Sequence, residues 1–166
     1  MTIREIQPED NPQIARIIRQ VLVDDMGAPK KGTAYEDRAV DRMFETYNTE
    51  RSVYFVIEQG STITGGGGIA PLAGHDGNVC ELQKMYFLRE ARGMGLGEKM
   101  IDLCLQKAKE YGYDQCYLET MPYMEAAQKL YRKKGFRYID APMGNTGHCS
   151  CPVWMLKDLD VNPQVP

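Results

Sequence analysis

The segment from Val79 to Gly112 constrains the fold more than any other. A run of strand formers, Val79 to Leu88, leads into a loop, Arg89 to Gly95. An amphipathic helix follows, marked by Leu96, Met100, Ile101, Leu103, Cys104 and Ala108. The junction reads Arg92-Gly93-Met94-Gly95-Leu96-Gly97. Glycines let a backbone turn tightly and aim its N–H groups inward. The first helical turn leaves N–H groups unpaired, and the helix dipole adds positive potential there. Together they make an anion site, and phosphate is the usual guest. Arg92 and Lys99 bring positive charge to it, and Glu98 opposes them. The same hexapeptide also suits an ordinary glycine-rich turn.

Two nucleotide motifs are excluded by spacing. A P-loop needs Lys and then Ser or Thr directly after its last glycine, whereas Gly97 is followed by Glu98, Lys99 and Met100. A dinucleotide fingerprint needs a wider gap between its second and third glycines than Gly95 and Gly97 leave, which disfavours a nicotinamide oxidoreductase.

The rest of the chain reads as one domain over 1–160 with a frayed tail at 161–166. A strand at Thr2–Ile6 precedes a helix with Ile14, Ile17, Ile18, Val21 and Leu22 on one face. A second helix is expected over Tyr35–Tyr47. A hairpin runs from Arg51 to Leu72, and its second strand carries Gly65 to Gly68, the mark of a bulge, a close backbone approach or a weak edge. After the long helix come a strand at Cys116–Thr120, a short helix closed by Gly135, and two antiparallel strands at Phe136–Ile139 and Val153–Leu156. Alternation of strands and helices in the middle points to an α/β mixed sheet with helices on both faces.

Composition bounds the function. The chain has 166 residues, 43% hydrophobic and 26% charged, as a globular domain requires. A formal net charge of -3 argues against a nucleic-acid binder. Five cysteines at irregular spacing do not read as a disulfide framework, so a reducing, cytoplasmic setting is expected. No apolar run is long enough to cross a bilayer, so no membrane partner is expected. His148, Cys149 and Cys151 invite a zinc reading, but no fourth ligand is spaced to complete it, and no metal is expected. A homodimer is left open.

The pattern Arg92-x-x-Gly95-x-Gly97 after the strand Glu81–Phe87 resembles the pyrophosphate-binding motif of the GNAT superfamily of N-acetyltransferases. Ala126-Ala127-Gln128-Lys129-Leu130-Tyr131, followed by Gly135-Phe136, resembles that family's helix and strand around its catalytic tyrosine. The order of elements agrees, and the resemblance runs from Ile3 to about Leu156. It implies a mostly antiparallel sheet of about seven strands. It also implies transfer of an acetyl group from acetyl-CoA to a primary amine, by direct attack in a ternary complex. The rival is a non-catalytic acyl-CoA-binding sensor. A covalent acyl-cysteine is disfavoured, because Cys80, Cys104 and Cys116 lie at apolar periodic or strand positions.

The resemblance also assigns residues. Backbone groups of Met85, Tyr86 and Phe87 would meet pantetheine where the strand splays at a bulge. The pyrophosphate would sit on Gly93, Met94, Gly95, Leu96, Gly97 and Glu98, with Arg92 at its edge. Tyr131 matches the general acid. An alkylamine has a pKa of about 10, so a base is also needed. Glu119 is the preferred base and Glu81 the competitor. The acceptor would lie between the Tyr35–Tyr47 segment and the Pro142–Cys151 connection, with Tyr35, Phe44, Tyr47 and His148 as candidate contacts. One departure stands out: Met124 occupies the place where many members carry an asparagine that contacts pantetheine.

Overall fold

The computed structural model describes residues 1–160, so the tail expected at 161–166 lies outside the described residues. The strands are β1 (Thr2–Glu5), β2 (Val53–Gln59), β3 (Thr62–Pro71), β4 (Val79–Phe87), β5 (Gln115–Thr120), β6 (Arg137–Ile139) and β7 (Val153–Asp158). They form one sheet in the order β1-β2-β3-β4-β5-β7-β6. Every neighbouring pair is antiparallel except β4 and β5. The helices are α1 (Asn11–Gln20), α2 (Met43–Tyr47), α3 (Leu96–Glu110) and α4 (Glu125–Lys133). The expected mixed, mostly antiparallel sheet is therefore present.

Two apolar layers hold the helices to opposite faces. On one face α1 buries Ile14, Ile17 and Ile18, at helical spacing, with Val40, Met43 and Tyr54. On the other, α3 buries Leu96, Met100, Ile101, Cys104, Leu105 and Ala108 against Phe55, Ile57 and Leu82, and Tyr131 of α4 joins them. Each such fully buried large side chain contributes about 1.5–3 kcal/mol. Among the described residues no helix is long and apolar enough to cross a membrane.

The early part of the chain differs from expectation. The helix expected over Tyr35–Tyr47 is a 3-10 turn, Arg38–Arg42, followed by the short α2. Asp37 caps the first piece, its side chain accepting from the Ala39 N–H at 2.9 Å. The second piece starts anew because the Phe44 N–H donates to the Asn11 side chain at 2.8 Å. Long-range side-chain bonds therefore replace helical ones. Conversely, α1 continues into one π turn, Val21–Asp25, which carries Asp25 towards the end of β4.

Glycines in β3 answer to aromatic rings on neighbouring strands. A Cβ on Gly66 would lie 2.6 Å from the Tyr54 ring and 2.8 Å from the Phe55 carbonyl. Opposite this run β4 bulges. Gly66 pairs with Tyr86 and Gly68 with Gln83, so Gly67 faces both Lys84 and Met85. Lys84 takes up the extra residue with φ of 49°. The bulge switches the parity of the strand. Cys80 and Leu82 face the α3 layer before it, and Met85 and Phe87 face that layer after it. Glu81, Gln83, Lys84 and Tyr86 consequently share the opposite face.

Candidate active site

β4 and β5 pair only at Val79–Gln115, Cys80–Cys116 and Glu81–Tyr117. Beyond Glu81 the two strands part. One edge of Tyr86 and Phe87 stays paired with β3, and the edge of Met85–Phe87 towards β5 is left without a partner strand. The gap opens into a cavity of about 550 Å³. Its walls include Met85, Tyr86 and Phe87 of β4, Arg92, Gly93, Gly95, Leu96, Gly97 and Glu98, and Leu130 and Tyr131 of α4. Nearly every cofactor residue expected from the sequence is thus on one surface. Met94 is the exception: it does not line the cavity and its side chain is exposed.

The loop has the geometry of an anion cradle. Gly95 caps α3 in the left-handed conformation, φ 72° and ψ 8°. The first backbone bond of the helix runs from Lys99 N–H to the Gly95 carbonyl, so the N–H groups from Gly95 to Glu98 have no helical partner. The Glu98 carboxylate pairs at 3.0 Å with both Lys133 and Lys134, which offsets its charge. Gly97 leaves room for the Phe87 ring, 3.2 Å from where a Cβ would be.

Arg92 behaves differently from a free cation. It donates to the Phe87 carbonyl at 2.8 Å and to Asp25 at 2.7 Å, and Arg89 donates to the same Asp25 carboxylate at 3.0 Å. Arg92 therefore ties the loop to the end of β4 and to the π turn after α1. Asp25 and Met26 also line the cavity, and the sequence reading missed both. Nothing in the sequence distinguishes the π turn from the helix it extends.

Tyr131 is buried, packs edge-on against Phe136 with ring centroids 6.0 Å apart, and lines the cavity. Burial pushes its hydroxyl pKa well above the usual value, so it keeps its proton at neutral pH. Met124 lines the same wall, its sulfur 3.4 Å from the Thr120 hydroxyl.

The two candidate carboxylates occupy the other side of the parting strands. Glu81 is only 3% exposed. Burial raises its pKa to about 7; Gln83 draws it down, Glu119 pushes it up and Lys84 draws it down. Gln83 donates to Glu81 at 3.2 Å and accepts from the Tyr47 hydroxyl at 2.6 Å. Burial also raises Glu119, against bonds from Tyr117 at 2.8 Å and Thr146 at 2.9 and 3.0 Å. Glu119 thus anchors the segment that precedes β7.

The expected acceptor residues divide. Tyr47 reaches the Glu81 pair through Gln83. His148 lies near Lys84 and Asp37, and its pKa is lowered, first by burial and then by Lys84. Phe44 packs into the α1 layer. Tyr35 lies under Lys30 and Arg19, 5.0 and 5.9 Å from its ring centre. The segment bearing His148 closes against the loop after α1, where Ser150 donates to the Gly32 and Lys31 carbonyls at 3.3 and 3.1 Å.

Comparison with known proteins agrees with this architecture. A family model described as Acetyltransferase (GNAT) family matches residues 17–136. A protein of Escherichia coli strain K12 bearing the description uncharacterized N-acetyltransferase YjgM is 42% identical over 157 residues, spanning 95% of this chain and 94% of that one. Among solved structures, a GNAT-family acetyltransferase of Staphylococcus aureus Mu50 superposes with a TM-score of 0.82 at 22% identity, over 95% of this chain and 98% of the other. An acetyltransferase of Salmonella typhimurium, solved with acetyl-CoA, gives a TM-score of 0.76 at 19% identity, over 96% and 94%. By sequence and by fold, this chain belongs to the acetyltransferase (GNAT) family.

Proposed function

We propose that this protein transfers an acetyl group from acetyl-CoA to a primary amine by direct attack in a ternary complex. The observation that carries the reading is the single cavity shared by the glycine cradle, the unpaired edge of β4 and the Tyr131 side chain. An acyl-CoA would supply an activated acetyl thioester. The cradle N–H groups from Gly95 to Glu98 would hold its pyrophosphate. The free edge of Met85–Phe87 would hold the pantetheine arm, and an N–H there would polarise the thioester carbonyl.

The chemistry left to side chains is proton transfer. The amine loses a proton to a carboxylate, a C–N bond forms as the C–S bond breaks, and Tyr131 gives a proton to the departing thiolate. Glu81 and Glu119 are the two candidate bases, and neither is among the residues that line the cavity. A base works best with a pKa near the working pH, which favours Glu81 at about 7. Glu119 is already engaged by two hydroxyls. The sequence reading preferred Glu119, so the two variants must be compared directly. Tyr47 and His148 remain the nearer candidates for contact with the acceptor, and Tyr35 and Phe44 the more remote.

The five cysteines are free, in keeping with a cytoplasmic setting. The test is thiol release from acetyl-CoA against a panel of amines, amino acids and peptides. Coenzyme A binding without thiol release for any acceptor would leave the sensor reading in its place.

A further inference from the structure

The β4 bulge brings a buried cation to the acceptor side. Because the bulge places Gln83 and Lys84 on one face, the Lys84 side chain enters the same space as Tyr47, Glu81 and His148. That side chain is 6% exposed. Its anionic partner among the described residues is Asp37 at 3.2 Å, and the Tyr47 ring centre lies 5.8 Å from its nitrogen. An ammonium carries three N–H donors. Asp37 takes one of them, and its carboxylate also accepts from the Ala39 N–H. A buried ammonium is costly to a fold even when paired, so its placement beside Glu81 needs a reason.

We propose that Lys84 binds the carboxylate of the acceptor, which makes the acceptor a free α-amino acid rather than a simple amine. This inference rests on the transferase reading above. Lys84 is close enough to Glu81 to draw its pKa down, so one face presents a cation to a carboxylate and a carboxylate to an amine. An α-amino acid carries both groups on one carbon. The N-terminus of a protein offers the amine without the carboxylate. An ammonium facing a carboxylate makes a charge-assisted hydrogen bond, stronger than a neutral one. Lys84 does not line the cofactor cavity.

The decisive comparison uses the wild-type protein. Thiol release is measured with a set of amino acids, their decarboxylated amines, their C-terminal amides, and dipeptides with the same first residue. The expected kcat/KM for the free amino acid exceeds that of its amine and amide by roughly 10- to 100-fold. In Lys84→Met the ratio falls to within about threefold, through a higher KM for the amino acid, while calorimetric affinity for coenzyme A stays as in wild type. Lys84→Arg recovers part of the preference. Equal use of amines, amides or dipeptides by the wild-type protein overturns the proposal, as does an undiminished preference in a folded Lys84→Met. Absence of thiol release with every acceptor, despite coenzyme A binding, removes the transferase reading and this inference with it. If Lys84→Met does not fold, the wild-type comparison alone decides.

Discussion

The Tyr54 hydroxyl donates to the Lys84 carbonyl at 2.7 Å, fastening the bulge of β4 to a side chain from β2, two strands away. Removing it leaves a buried carbonyl without a partner. Tyr54→Phe should lower stability by about 1–3 kcal/mol, read by denaturant titration. It should also raise the acceptor KM, because the bulge orients Lys84 and Gln83, with less change in coenzyme A affinity. An unaltered KM would mean that the bulge holds its shape without this bond.

Glu81 links stability to pH in the reverse of the usual carboxylate sense. Its pKa rises from an ordinary 4.5 to about 7 in the folded protein. Between those values the native state keeps a proton that the unfolded state has released, so stability declines as pH rises. The decline starts near the lower value and is complete above the higher one. Its size is on the order of 3 kcal/mol. Glu81→Gln should therefore melt higher than wild type at pH 8 and about equally at pH 4.5.

The same residue should shape the rate. If Glu81 is the base, wild-type kcat/KM climbs through pH 7, and Glu81→Gln loses both that limb and much of the rate. Glu119→Gln should keep the limb. The opposite pattern transfers the base to Glu119, and an unchanged profile in both variants assigns the step to water or a backbone carbonyl.

Gly95→Asp tests the cradle. No atom lies within 4 Å of where a Cβ would be, so the substitution adds strain but no collision. The left-handed φ costs about 1 kcal/mol for a side chain. The added charge faces the unpaired N–H groups, and calorimetry should find coenzyme A binding lost while the protein remains folded.

Tyr131→Phe keeps the ring against Phe136 and deletes the proton donor. The turnover number should fall roughly 10²- to 10⁴-fold with coenzyme A affinity nearly constant. Turnover within about threefold of wild type would reduce Tyr131 to a packing residue.

Much of the fold and cradle was legible because local rules carry them. Glycine spacing before Leu96 and the apolar repeat of α3 are written in neighbouring residues. The helix expected over Tyr35–Tyr47 failed because Asn11, far upstream, supplies the bond that starts α2. The Arg92 latch on Asp25 is equally non-local. The Lys84 bulge was readable in principle. Apolar positions shift from even numbers at Cys80 and Leu82 to odd numbers at Met85 and Phe87, and a strand without an extra residue cannot do that.

The glycine run of β3 has a consequence for how the chain assembles. Along its four glycines β3 carries no code for its own alignment, which leaves that task to the buried Ile63 and Ile69 at either end and to the strands beside it. Discrimination rests with the neighbours: the Tyr54 ring lies against Gly66 and Gly68, and the Phe87 ring against Gly65. These rings act as keys that need the notches glycine leaves. Alignment of the glycine run is then chosen by ring shape on the flanking strands, within the β2–β3 hairpin at Tyr54 and from β4 at Phe87.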